Sequence, residues 1–111
     1  VKGNVWHYDM QRAYTKMLAS VKLHKVHYRG MMCGFDSYPR SGLRANVFIN
    51  NSPEMFMQAM SDQLRRCDDG YLFLNAWNEW GEGCCLEPDE HYGYAFLEAT
   101  KRSRYGCVPW L

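Results

Sequence analysis

The segment that most restricts the fold is the apolar run YLFLNAW, Tyr71–Trp77. It is too short for a core helix and does not alternate polar with apolar residues, so it reads as a strand of the type covered on both faces in a parallel sheet. The segments around it support this. Before it, Ser52, Pro53 and Glu54 supply an N-cap, a first-turn proline and a first-turn acid, which predicts a helix start. That helix is expected to run to about Cys67, burying Phe56, Ala59, Met60 and Leu64, until DDG at Asp68–Gly70 breaks it.

The same alternation extends toward the start of the chain. Met10, Ala13, Tyr14, Met17 and Leu18 recur at helical spacing, predicting a helix over about Tyr8–Ala19. A short apolar run closed by Gly34 predicts a buried strand at about Arg29–Cys33. A polar loop, FDSYPRSGLRAN, and a brief extended piece, VFIN, lead to the Ser52 helix. After YLFLNAW, a long loop from about Trp77 to Glu90 precedes a last helix with Tyr92, Ala95, Phe96 and Ala99 on one face, and the tail RYGCVPWL is expected to be irregular. Helices alternating with strands predict a parallel α/β architecture. A (β/α)8 barrel uses roughly 30 residues per unit, about 250 in all. The chain of 111 residues is therefore expected to be a single partial domain, residues 1–111, forming the C-terminal portion of a TIM-type barrel: about its last two to three βα units. Its missing N-terminal barrel strands would be needed to cover the sheet edge. The absence of an initial Met fits a piece of something longer.

Composition narrows the partners. A net charge of +1 gives no field that would draw the chain to nucleic acid or an anionic membrane. No apolar run approaches the ~20 residues of a membrane span, and the start VKGNVWHYDM lacks the blocks of a signal peptide. Cys33, Cys67, Cys84, Cys85 and Cys107 form an odd set without a CxxC pair or a zinc-type His spacing. A reducing cytoplasm fits, and no metal or other cofactor is expected. His24 and His27 can share a helical face but have no third ligand nearby, and Asp68–Asp69 reads as a turn rather than a metal motif.

In α/β barrels the loops after strands carry the chemistry. The loop after YLFLNAW holds Asn75, Trp77, Asn78, Glu79, Trp80, Glu82 and Glu87 within 13 positions. Glu79 and Glu82 are three apart, a spacing that puts side chains on one side of a helical turn. Glycosidic chemistry needs such a pair, because one carboxylic acid protonates the leaving oxygen while another carboxylate assists attack or balances an oxocarbenium-like charge. The indoles of Trp77 and Trp80 can stack on a sugar ring, and Asn75 and Asn78 can bind hydroxyls.

The stretch LNAWNEWGEGCCLEPDEHYGYAFLEA, Leu74–Ala99, closely resembles the WbsX-like glycosyltransferase family of bacterial polysaccharide and O-antigen (lipopolysaccharide) gene sets. That family is similar in turn to the endo-α-mannosidases of glycoside hydrolase family 99, which are (β/α)8 barrels. GFDSYPRSG, Gly34–Gly42, looks like the family's G-W-D-N-T-P-R segment, and SPEMF from Ser52 looks like its next helix start. The resemblance covers about Tyr28–Thr100 and implies a metal-independent enzyme acting on an oligo- or polysaccharide, with a nucleotide-sugar as a possible donor. It implies Glu79 assisting attack by the substrate's 2-hydroxyl and Glu82 as acid, then base. Glu87, Asp36 and Arg40 are implied to bind substrate. A retaining endo-α-mannosidase is the alternative enzyme, and a non-catalytic glycan-binding domain or an inactive fragment the alternative of another class. Phe35 stands where the family has Trp, Ser37 and Tyr38 replace Asn-Thr, and Cys84–Cys85 fills a position with other small or aromatic residues. These departures bear on substrate identity more than on the reaction centre.

Overall fold

The computed structural model describes residues 3–20, 28–67 and 70–105. His24, His27 and Asp68–Asp69 lie outside the described residues, as does most of the tail. The elements in chain order are β1 (Trp6–Asp9), α1 (Met10–Ala19), β2 (Arg29–Met32), short helix α2 (Tyr38–Ser41), β3 (Asn46–Ile49), α3 (Pro53–Arg65), β4 (Leu72–Asn75), β5 (Asn78–Glu79), β6 (Cys84–Cys85) and α4 (Ala95–Tyr105). The result is a mixed α/β arrangement with two parallel strand pairs. β1 lies beside β3, and β2 beside β4 in the register Arg29↔Leu72 to Met32↔Asn75. Parallel partners cannot be joined by a tight turn. Here the chain leaves β2, passes through α2, β3 and α3, and returns as β4.

Local chemistry accounts for the helix boundaries. The Ser52 side chain accepts from Met55 N at 3.1 Å, Pro53 occupies the first turn and Glu54 follows, so the predicted start of α3 holds. Asp9 caps α1 by accepting from Arg12 N. That helix therefore starts at Met10, and Tyr8, expected within it, lies in β1 and stacks on Phe48 with ring centroids 5.1 Å apart. The loop after β2 is more ordered than expected, containing α2 and a 3-10 turn at Gly42–Arg44. At the other end, α4 begins only at Ala95, so Tyr92 precedes the helix rather than lining its face, while Arg104 and Tyr105, expected in an irregular tail, continue it.

The core is formed by Met10 and Tyr14 of α1, Met31 of β2, Phe56, Ala59 and Met60 of α3, and Phe96 and Ala99 of α4, joined by Cys33 and Leu86. Phe56 is fully buried, with its ring 5.5 Å from that of Phe96 and 6.5 Å from that of Tyr14. Leu64, expected in this core, is only partly buried. The helices cover one face of the β2–β4 pair. Leu72 and Leu74 pack on the core, whereas Phe73 is 61% exposed and meets the Tyr28 ring edge-on. The expectation that β4 is covered on both faces is thus not met among the described residues: alternate side chains of a strand point to opposite faces, and Phe73, on the second one, stays largely exposed. Among the described residues no helix is long and apolar enough to cross a membrane, and no cluster of three or more potential metal-ligating side chains occurs.

Gln63 is the one polar side chain buried deep in α3, with 1% of its surface exposed. It sits on the apolar face, seven residues after Phe56. Its amide donates to Gly30 O at 3.0 Å and Met17 O at 3.5 Å and accepts from Arg29 Nη1 at 3.1 Å, joining α3 to β2 and α1. Gln63→Ala leaves the strand carbonyl and the guanidinium without this partner. It is expected to cost about 1–3 kcal/mol in urea-induced unfolding, and an unchanged midpoint would show that the amide contributes nothing.

Candidate active site

Because β2 and β4 are parallel and in register, the chain leaves both at the same end. The loop after β2 is tied down by its backbone. Phe48 N donates to Phe35 O at 2.8 Å, Asp36 forms an antiparallel bridge with Val47, and Asp36 N donates to Glu82 O at 2.7 Å. Asp36 Oδ1 accepts from Tyr38 N at 2.8 Å, turning the chain into α2, which carries Arg40. The loop after β4 is a small antiparallel hairpin, pairing Asn78 with Cys85 and Glu79 with Cys84. Its tip is a 3-10 turn, Trp80–Glu82, ended by Gly83 at φ +58°. A Cβ on Gly83 would lie 3.0 Å from Asp36 Cβ and N, so glycine meets both the left-handed backbone and the close approach of the two loops.

At this junction Arg40 bridges the two glutamates. Its Nη2 lies 2.6 Å from Glu79 Oε1 and its Nη1 2.9 Å from Glu82 Oε1. Glu79 ends β5 and Glu82 ends the 3-10 turn that follows it, so the turn brings both carboxylates to one guanidinium. Gly81, between them, leaves room for that cation: a Cβ there would stand 2.7 Å from Arg40 Nη2. The three side chains are 55%, 39% and 31% exposed. Solvent screening at such exposure leaves little net stability in each pair, so their main effect is on position.

The other predicted site residues sit around this centre. Trp80 Nε1 donates to Glu87 Oε2 at 2.7 Å, fixing an indole that is 50% exposed. Asn75 Nδ2 donates to Cys84 Sγ at 3.4 Å and Asn75 O accepts from Cys33 N at 3.1 Å, so this residue ties the end of β4 to the hairpin and to β2. The Asn75–Ala76 peptide is cis. Trp77 and Asn78 are exposed, and no side-chain hydrogen bond joins either to the glutamates among the described residues. Their placement differs from that of Arg40, Glu79 and Glu82, which the structure brings into direct contact. Cys84 is fully buried, with Sγ 2.6 Å from Gly34 O. Burial pushes its thiol up to about 12, with negative charge at Cys33, Glu82, Cys85 and Glu79 acting in the same direction. Cys85 is raised to about 11, again mainly by burial.

One feature escaped the sequence reading. A cleft of about 530 Å³ opens beside the hairpin, between Trp80 and Phe48, and Asp89, Glu90 and Tyr92 line it together with Asp36. The segment PDEHYGY that follows the glutamates carries the signal, but in the sequence Tyr92 also fits a helical apolar face.

No solved structure matches this chain. Uncharacterized protein WxcX from two strains of Xanthomonas campestris pv. campestris is 34% identical over 82 residues, which are 68% of this chain and 12% of the relative. The chain therefore matches only a small part of the length of these relatives. The profile described as Glycosyltransferase WbsX matches residues 1–100. With nine-tenths of its sequence inside that profile, the chain belongs to the WbsX glycosyltransferase family.

Proposed function

We propose that the chain carries the reaction centre of an enzyme that makes or breaks glycosidic bonds in a bacterial polysaccharide such as O-antigen, with Glu79 assisting attack and Glu82 as acid and then base. The observation that supports this most is the contact of Arg40 with both glutamates where the loops after two parallel strands meet. Two carboxylates close enough to share one guanidinium are close enough to act on one bond. Arg40 then has a positioning role, holding both carboxylates ready, besides the substrate contact implied by the resemblance. Asp36, Asn75, Trp77, Asn78, Trp80 and Glu87 complete the sugar-binding surface, with the indoles as stacking platforms. Family membership supports a sugar substrate and transferase chemistry. The acid pair favours a second reading, a retaining endo-α-mannosidase-like hydrolase. The parallel β2–β4 pair, with both polar loops at one end, supports a (β/α)8 barrel, of which residues 1–111 would be the C-terminal part. The cytoplasm is its proposed location.

Glu79→Gln and Glu82→Gln in the full-length protein are each expected to lower turnover by about 10²–10⁴-fold without lowering the melting temperature. Turnover retained in both would sink the assignment. Incubation with a nucleotide-sugar and, separately, with a polysaccharide distinguishes transferase from hydrolase by nucleotide release or chain cleavage, and glycan binding without either product marks a non-catalytic domain.

Gly81→Ala places a methyl group against the Arg40 guanidinium. It is expected to lower turnover by up to about 100-fold through misplacement of the acid pair, measured as kcat with the circular dichroism spectrum unchanged. A competing nucleophile would be a thiolate, but the reactive form of cysteine is the anion and the Cys84 and Cys85 thiols stay neutral up to about 12 and 11. Treatment of the folded enzyme with iodoacetamide at pH 8 is accordingly expected to leave turnover in place. Since these thiols titrate higher in the folded chain than their ordinary value of 9.0, stability is expected to be full below pH 9 and to fall as the pH rises toward 12.

A further inference from the structure

The cleft beside the hairpin extends the proposed sugar-binding surface, with which it shares Asp36 and Trp80, but is lined by neither Glu79 nor Glu82. Its volume of about 530 Å³ lies within the roughly 300–1,000 Å³ typical of small-molecule sites. Its aromatic walls are held in place. Trp80 is fixed through its Nε1 by Glu87, Tyr92 stands at 90° to Phe96 with ring centroids 5.1 Å apart, and Phe35 meets Phe48 edge-on at 5.9 Å. Trp80 and Tyr92 nevertheless remain 50% and 38% exposed, so apolar ring surface is available without a side chain having to reorganise.

The charged lining is mainly acidic. Asp36, Asp89 and Glu90 contribute carboxylates, and among the described residues His91 is the sole basic side chain and no Lys or Arg lines the cleft. Asp89 is held in place by its backbone contacts: its Oδ1 accepts from His91 N at 2.8 Å and Tyr92 N at 2.5 Å. Carboxylates accept hydrogen bonds from hydroxyl or ammonium groups and repel anions. Stacking surface together with acceptors suits a pyranose, whose faces are apolar and whose rim donates. Trp80 joins this cleft to the reaction centre, since it stands between Glu79 and Glu82 in sequence and lines the cleft.

We propose that this cleft is a saccharide subsite for a sugar unit flanking the reacting bond, that Trp80 and Tyr92 form its platforms, and that it takes a neutral or amino sugar and excludes uronic acids. The assignment of the neighbouring bond as the reacting one rests on the function proposed above. The binding itself does not.

The test is titration calorimetry on the full-length protein carrying Glu79→Gln and Glu82→Gln, so that binding is read without turnover. The probes are gluco-, manno-, galacto- and rhamno-configured disaccharides, a glucosamine disaccharide and a glucuronic acid disaccharide. At least one neutral or amino probe is expected to bind. Tyr92→Ala is expected to weaken it at least tenfold. The glucuronic acid probe is expected to bind at least tenfold more weakly than its gluco counterpart, and Glu90→Gln, at an exposed position, to narrow that gap. Failure of every probe to bind, unchanged affinity in Tyr92→Ala, or equal or tighter binding of the uronic acid would overturn the subsite. If Tyr92→Ala does not fold, the comparison of gluco and glucuronic probes with and without Glu90→Gln decides alone. Turnover surviving in the single glutamate variants would remove the reaction centre while leaving these binding results standing, so the two failures are distinguishable.

Discussion

The geometry of the site depends on the register between β2 and β4. Four residue pairs, from Arg29↔Leu72 to Met32↔Asn75, set both strand ends level, and each loop then begins within hydrogen-bonding distance of the other. Cys33 N reaches Asn75 O, and three residues further on Asp36 N reaches Glu82 O. A slip of one residue would turn Met31 from the core to the open face. It would also shift the α2 loop against the hairpin by about 3.3 Å, more than the length of the contacts that Arg40 makes. The cation and the acids come from segments about forty residues apart, and this short parallel ladder is what sets their distance.

The two halves of the site differ in the means that hold them. The hairpin is built from tight local geometry: a 3-10 turn, a left-handed glycine and a buried cysteine whose sulfur meets the opposite loop. The α2 loop is held mainly by backbone bonds to β3 and to Glu82. Arg40 reaches from the second half to the first. Because it is about half exposed, it can exchange its carboxylate partners for solvent or substrate at modest cost, while the backbone beneath it stays in place.

The alternation of helices and strands was legible because it depends on local signals. Ser52-Pro53-Glu54 marked the start of α3, and the spacing of Phe56, Ala59 and Met60 identified its buried face. Gln63 was missed although it lies on that same face, because its burial requires partners from β2 and α1 that the helix sequence does not show. Tyr8 was misplaced for a related reason: Asp9 caps the helix one residue later, leaving Tyr8 to a strand whose partner lies about forty residues away. The glutamates stood out in the sequence as a cluster after an apolar strand. Their contact with Arg40 did not, since a loop of that length offers many positions for one cation. The open face of β4 was also hidden, as an apolar run specifies what a strand can bury but not whether this chain supplies the cover.

Arg29 acts at the opposite end of the same strand pair. Its guanidinium donates to Ser20 O beyond α1, to Arg66 O beyond α3, and to the Gln63 amide between them. Carbonyls at the C-terminal ends of helices carry partial negative charge and lack intrahelical partners, so one cation on β2 quenches two helix ends together. Each end of the strand pair is thus clasped by a single arginine, one donating chiefly to backbone carbonyls and the other to two side-chain carboxylates. The first clasp ends mainly on main-chain atoms and the second on half-exposed side chains, so the molecule has an anchored pole and an adaptable one.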